Sequence, residues 1–269
     1  MRHLIKRDLL LLFSSNLYKW IAAIGLTIFI TSVSLYNLNH WFQLHDYQNI
    51  QASLTDVLFL NFKGTAPTDK ELPYVWLLVQ LYGVFLVGNF TEEDFKENGP
   101  YIISRSSRGK WWMSKTLSIG VLMFVYYGVL VLVTLLLSSF YVDLSFNWST
   151  YGNKMIVPLL STSIHPFLFV LVMVGLLYTG NLLLTFLLMT LLARFSSIYS
   201  FLIVVVILFS SLFIHFSGSP AMHSIILRQG LFNEQLPGIA ASFIYNIGIS
   251  IGICLAGGLY FRKIDIDKE

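Results

Sequence analysis

The chain has 269 residues, of which 56% are hydrophobic, and it carries a formal net charge of +3. Only 12% of its residues are charged, whereas soluble domains carry about 25%. This composition excludes an ordinary soluble protein and predicts an all-α polytopic membrane protein, in a single domain that covers residues 1–269. The single cysteine, Cys254, excludes an internal disulfide and a cysteine metal site.

Residues 1–19 are predicted to form an amphipathic helix that lies on the inner leaflet and leads into the first span. Ile5, Leu9, Leu12 and Phe13 share one helical face, and basic residues surround that face. An apolar face bordered by cations is typical of helices that lie in the membrane interface.

Six apolar segments are long enough to cross a bilayer, which requires about 20 residues. None of them contains Asp, Glu, Lys or Arg. We therefore predict six transmembrane helices. They cover residues 20–38, 73–90, 116–140, 166–193, 196–216 and 237–261.

Three connecting segments are predicted to lie at the membrane surface. Within the long outer loop 39–72, residues 50–62 are apolar enough to form a short surface helix. Residues 156–164 precede Pro166 and are predicted to form an interfacial or re-entrant piece, because proline interrupts a helix. Within the last outer loop, 217–236, residues 224–232 are predicted to dip into the outer leaflet.

The distribution of Lys and Arg predicts that both termini are cytoplasmic and that the protein lies in the plasma membrane. If the N-terminus is inside, thirteen of these residues fall on the cytoplasmic side and four on the outer side. Cytoplasmic loops of membrane proteins carry the excess of Lys and Arg. The four outer residues are Lys63, Lys70, Lys154 and Arg228.

The charged segment, residues 91–115, lies between the second and third predicted spans on the cytoplasmic side. It contains four acidic and five basic residues in a chain that is otherwise poor in charge. In a membrane protein, charge that is concentrated in one short loop indicates that the loop has a function on one side of the bilayer. The charged segment is therefore the strongest functional signal in the sequence.

No motif for nucleotide binding or for metal-dependent hydrolysis occurs in the sequence. Gly109-Lys110 lacks the upstream glycine of a phosphate-binding loop, and the six histidines show no metal-ligand spacing. Spans without Asp, Glu, Lys or Arg argue against a proton- or sodium-driven carrier. The chain is therefore predicted to have no catalytic residue, no metal site and no cofactor of its own.

The order of residues in the charged segment resembles the cytoplasmic signature of ABC-2-type permeases, the membrane-spanning subunits of a class of ABC transporters. Glu97 and Gly99 are followed by a short apolar stretch, a Ser-Arg turn that includes Ser104, then Arg108, and finally Lys115 at the start of a span. The six spans, the amphipathic N-terminal helix and the short C-terminal tail agree with this resemblance.

The resemblance implies that the charged segment is a coupling helix, which docks on a separate ATP-binding subunit. When two such subunits close around ATP, the coupling helix transmits their movement to the spans. Two copies of that subunit would hold ATP and Mg²⁺, and a second permease chain, identical or similar, would complete the pathway. Membrane lipids are expected partners, and nucleic acid is not. The residues expected in the coupling contact are Glu97, Gly99, Pro100, Tyr101, Ile102, Arg105, Arg108 and Lys110.

Polar and aromatic residues inside the spans are candidates for lining a substrate path, and hydrogen-bonded packing between helices is the alternative role for each. These residues are Tyr126, Tyr127, Tyr178 and Asn181. An aromatic, uncharged interior favours an amphipathic cargo. By resemblance, we expect export of, or immunity to, a peptide such as a bacteriocin or lantibiotic.

Alternatives within the same class are export of a lipid, a polysaccharide or a drug. The alternative outside the class of ABC exporters is a six-span membrane sensor or assembly protein, in which the charged segment has no partner.

In the last span, Gly248, Gly252 and Ala256 form a stripe of small residues, which predicts a close helix contact.

Overall fold

The computed structural model describes residues 2–14, 17–45, 52–68, 71–93, 107–213 and 218–263. Of the described residues, 79% are helical. Within the described residues there is no β-strand, and one isolated bridge joins Ser53 to Asp143. The all-α class that was predicted from composition is confirmed.

The described part of the chain contains ten α-helices, with short 3₁₀ turns at Val157–Leu159 and Ile226–Arg228. The helices are α1 (Arg2–Ser14), α2 (Leu17–Leu44), α3 (Leu54–Phe62), α4 (Tyr74–Glu93), α5 (Arg108–Ser138), α6 (Thr150–Met155), α7 (Pro166–Leu192), α8 (Ser197–Phe213), α9 (Pro220–Ser224) and α10 (Ile239–Lys263).

Four of these helices, α2, α5, α7 and α10, are long and apolar enough to cross a membrane. They match the first, third, fourth and sixth predicted spans. The apolar part of α4 (Tyr74–Gly88) and the whole of α8 are shorter, so the six-span topology stays a prediction. The 31 residues of α5 span ~46 Å, which exceeds the ~30 Å hydrocarbon core of a bilayer. A membrane-spanning α5 therefore extends beyond the hydrocarbon core.

Helix α7 lies at the centre of the bundle. It packs against α3, α4, α5, α8, α9 and α10. More than half of its apolar stretch is buried, against 17% in α10. Pro166 stands at its first position, where the missing N–H costs no hydrogen bond, and His165 Nδ1 accepts a hydrogen bond from Phe167 N–H at 3.3 Å.

Helix α3 is buried inside the bundle, so the prediction that residues 50–62 form a surface helix is wrong in its location. It packs against α2, α5 and α7, and all residues from 54 to 59 are buried. A helix whose residues are buried on every side lies in the protein interior, and its polar side chains need partners there. The Asn61 amide donates hydrogen bonds to Thr31 Oγ1 at 3.2 Å and to Thr134 Oγ1 at 3.3 Å.

Residues 224–232 also pack against protein, so the prediction that they dip into the outer leaflet is wrong. Ile225, Ile226 and Leu231 are buried, and α9 packs against α7 and α10. The guanidinium of buried Arg228 donates to the carbonyl oxygen of Leu212 at 3.1 Å. This places a cation at the C-terminal end of α8, where the helix dipole is negative.

Residues 156–164 form a 3₁₀ turn followed by an extended stretch, which contacts the loop that contains Leu231. Ser161 N–H donates to Leu231 O at 2.8 Å, and Trp148 Nε1 donates to Ile164 O at 3.3 Å. Loops from three parts of the chain thus form one packed layer at this end of the bundle. The described parts of the charged segment, residues 91–93 and 107–115, lie at the opposite end.

Candidate functional site

The charged segment starts in the last residues of α4 and ends in the first two turns of α5. Residues 94–106 lie outside the described residues, and six of the expected coupling residues fall there. These are Glu97, Gly99, Pro100, Tyr101, Ile102 and Arg105. Arg108 and Lys110 lie in the first turn of α5. The site described here is therefore residues 107–115 and the elements that hold them.

The start of α5 is fixed by a side-chain cap and by a contact with the last turn of α10. Ser107 Oγ accepts a hydrogen bond from Lys110 N–H at 3.3 Å, as expected for a helix N-cap. The Arg108 guanidinium donates to the carbonyl oxygen of Arg262 at 3.1 Å. The charged segment and the end of the last long helix are thus joined directly.

Two consecutive tryptophans extend this contact into the bundle. The Trp111 ring stacks on Phe261, with 4.9 Å between ring centroids, and Trp112 Nε1 donates to Cys254 O at 3.0 Å. Both tryptophans are buried. A Cβ atom at Gly257 would lie 2.5 Å from the Trp112 ring, so only glycine lets α10 approach this closely.

A buried ion pair joins the same turns of α5 to α1. Lys115 Nζ donates to Asp8 Oδ1 at 3.0 Å, and Ser114 Oγ donates to Asp8 Oδ2 at 2.7 Å. Both charged side chains are 0% exposed. Arg7, which is 30% exposed, also pairs with Asp8 from the edge of the cluster. The Trp111 ring lies 5.5 Å from Lys115 Nζ, within cation–π range.

Asp8 was missed by the sequence analysis, which considered only the apolar and basic residues of the N-terminal helix. It is the single acidic residue among the first 45 and lies one helical turn before buried Leu12. An acid at that spacing shares the face that packs on the protein, and this signal was available in the sequence. Of the four residues predicted to form the apolar face, Leu12 is buried and Phe13 is exposed.

The two ends of the bundle differ in their exposed charges. Among the described side chains near the charged segment, the exposed ones are all basic: Lys6, Lys110, Arg194, Arg262 and Lys263. At the opposite end, the described exposed charges are Lys154, Glu71, Asp143 and Glu234. The excess of Lys and Arg counted along the sequence is therefore a property of one end of the folded chain.

The residues predicted to line a substrate path meet in the interior. Tyr126, Tyr127 and Asn181 are buried, and Tyr178 is partly buried. Asn181 Nδ2 donates to Tyr127 Oη at 3.1 Å and to the carbonyl oxygen of Gln80 at 3.1 Å. These hydrogen bonds tie α4, α5 and α7 together.

Two further tyrosine hydroxyls complete this network. Tyr126 Oη donates to Val79 O at 3.0 Å, and Tyr178 Oη donates to Gly120 O at 3.4 Å. A Cβ at Gly83 would lie 2.4 Å from Asn181 Nδ2, so glycine on α4 makes room for the amide. The four residues are hydrogen-bonded between helices, and their role in a substrate path stays a prediction.

The small-residue stripe of α10 does not contact the described chain. Cβ atoms at Gly248 and Gly252 would have nothing within 4 Å, and both glycines are exposed. The close approach of α10 to its neighbours is made at Gly257 instead.

The described residues contain no group of three or more His, Cys, Asp and Glu side chains that could hold a metal ion. Comparison with known proteins adds no relative, because no family model, no curated protein and no solved structure matches the chain.

Proposed function

We propose that this chain is the membrane-spanning subunit of an ATP-driven exporter of the ABC-2 type. The observation that carries the proposal is the order of residues from Glu97 to Lys115, between two apolar helices, in a chain without a phosphate-binding loop. ATP hydrolysis takes place in a separate ATP-binding subunit, present in two copies, and the charged segment is its docking element. A second permease chain completes the complex.

The contacts of residues 107–115 support a coupling role. Because these residues open α5, contact α10 through Arg108 and contact α1 through Asp8, a push on the segment reaches three helices directly. A loop without a partner has no need of such connections. The basic residues exposed around it support a cytoplasmic location, since cytoplasmic ends carry the excess of Lys and Arg.

We propose an amphipathic cargo, with a membrane-active peptide as the first choice. The buried polar groups shared by α4, α5 and α7 are tyrosine hydroxyls and amides, which carry no charge at neutral pH. A pathway that opens between these helices presents aromatic and apolar area to its cargo. Such a surface suits an amphipathic molecule better than a small ion.

The test is purification of the tagged chain from its native membranes in mild detergent, followed by measurement of Mg²⁺-dependent ATP hydrolysis. We expect one ATP-binding subunit to co-purify per chain and the complex to hydrolyse ATP. Ile102→Asp should release that subunit, because it places a charge in the proposed apolar contact.

Tyr141→Asp is the matched control, because Tyr141 is an exposed aromatic residue just beyond the other end of α5. It should keep both the subunit and the activity. A preparation without ATPase activity, or an Ile102→Asp complex with full activity, would contradict the proposed function.

A further inference from the structure

We propose that Asp8 is a positioning residue, whose buried ion pair with Lys115 makes α1 move together with the charged segment. The inference rests on the proposed function, because it assigns the route by which a displacement of the segment reaches the N-terminal helix. Asp8 touches neither nucleotide nor cargo and acts through Lys115.

The cluster around Asp8 is built to hold one carboxylate. Its Oδ1 accepts hydrogen bonds from Lys115 Nζ and from Arg7 Nε, each at 3.0 Å, and its Oδ2 accepts one from Ser114 Oγ at 2.7 Å. Two of the three donors belong to consecutive residues of α5. The carboxylate is therefore held in one place relative to the first turns of that helix.

Burial turns this contact into a rigid connection. Asp8 and Lys115 are both fully buried, and Trp111 lies against the ammonium group. If α1 separated from α5, the Asp8 carboxylate and the Lys115 ammonium would lose each other as partners, which is more costly for a buried pair than for an exposed one. Leu12, on the same face of α1, is also fully buried and extends the contact by one turn.

The connection also reaches the first long helix. Residues 15 and 16 alone separate α1 from α2 in the chain. A displacement that starts in the charged segment therefore passes through Lys115 and Asp8 to α1, and through two residues to α2.

The experiment measures the attachment of α1 and the activity of the complex separately. In a Cys254→Ser background, Leu12→Cys places one thiol in the buried contact, and its rate of labelling by a maleimide reports separation of α1. The same purified complexes are assayed for ATP hydrolysis. The variants are Asp8→Asn, Lys115→Met, the double variant and Asp8→Glu, with Lys154→Met as an exposed lysine at the opposite end.

Each neutralising single variant should raise the labelling rate at least about tenfold and lower ATP hydrolysis, because it removes the ion pair and leaves the other buried charge without its opposite charge across the contact between α1 and α5. The double variant should show less than the product of the two single effects, because the residues act as a pair. Asp8→Glu keeps the charge and should stay close to the parent in both measurements. Lys154→Met should change neither.

Two results would overturn the inference while leaving the proposed function intact. One is protection of Leu12→Cys in both single variants, which would show that the pair does not hold α1. The other is fast labelling with parental ATP hydrolysis, which would show that α1 does not take part in coupling. A parent preparation without any ATPase activity would instead overturn the proposed function, and the coupling role of Asp8 with it.

Discussion

Two glycines of α10 have opposite surroundings, and this difference can be measured. A Cβ at Gly257 would lie 2.5 Å from the Trp112 ring and 2.6 Å from Thr190 Oγ1, whereas a Cβ at Gly252 would meet nothing within 4 Å. Gly257 is buried and Gly252 is exposed. One glycine is required by packing and the other is not.

We expect Gly257→Ala to destabilise the protein by about 1–3 kcal/mol, because the added methyl group overpacks the contact with Trp112. Gly252→Ala should be neutral or stabilising by up to about 1 kcal/mol, because alanine favours a helix over glycine. Thermal unfolding of the two variants in the same detergent checks this. Equal melting temperatures would mean that α10 does not approach Trp112 as described.

At the scale of elements, the Asp56 carboxyl group connects the start of α3 to the start of α6. Asp56 caps the start of α3 by accepting a hydrogen bond from Ser53 N–H at 2.7 Å, and the Ser149 hydroxyl at the start of α6 donates to the same oxygen. The other oxygen, Oδ1, is buried and has no hydrogen-bond partner among the described residues. Desolvation by this burial raises the pKa of the Asp56 carboxyl above its ordinary 3.8, against smaller opposite effects of the hydrogen bonds from Ser149 and Ser53.

The raised pKa predicts how stability changes with pH at this joint. Because the folded state binds the proton more tightly than the unfolded chain, the stabilisation by Asp56 is complete below about pH 3.8 and is lost as the pH rises through its raised pKa. Asp56→Asn is always neutral, so its stability relative to the parent should increase over that rise. Unfolding by denaturant at several pH values measures this difference, and parallel profiles for Asp56→Asn and the parent would refute the assignment.

The helices themselves were predictable because their apolar runs are long and free of charge. Residues 166–193 were predicted as a span and form α7 (Pro166–Leu192), with the proline start read correctly. Helix α5 begins eight residues before its predicted span, because that span was required to contain no charge. Lys115 nevertheless belongs to α5, and its side chain is buried. Its burial is possible because Asp8, from a distant part of the chain, pairs with it. A prediction that treats each segment separately cannot identify an ion pair between residues that are far apart in the sequence.

The location of each apolar segment in the fold was less predictable than its helical secondary structure. The short helix in the outer loop was predicted, but its position between α2, α5 and α7 depends on the hydrogen bonds of Asn61 with Thr31 and Thr134. Those partners are 30 and 73 positions away. Apolarity alone describes a membrane surface and a protein interior equally well, and tertiary contacts decide between them.

For the whole molecule, the charge difference between the two ends predicts its orientation in the membrane. We expect Lys263→Cys, at the end that bears the exposed basic residues, to be cytoplasmic and Lys154→Cys to be outside. A membrane-impermeant maleimide applied to intact cells in a Cys254→Ser background should label only the latter. After permeabilisation both should react. Labelling of Lys263→Cys in intact cells would reverse the topology and remove the charged segment from the side where ATP is found.

The ion pair between α1 and α5 has a consequence for how the chain is made. Asp8 and Lys115 are 107 positions apart, so at ordinary rates of translation the carboxylate is synthesised roughly 5–20 s before its lysine. During that interval Asp8 remains hydrated, because burying it without its lysine would be costly. Helix α1 therefore reaches its packed position only after the first turns of α5 have been synthesised, although α1 precedes α5 in the chain by almost 100 residues.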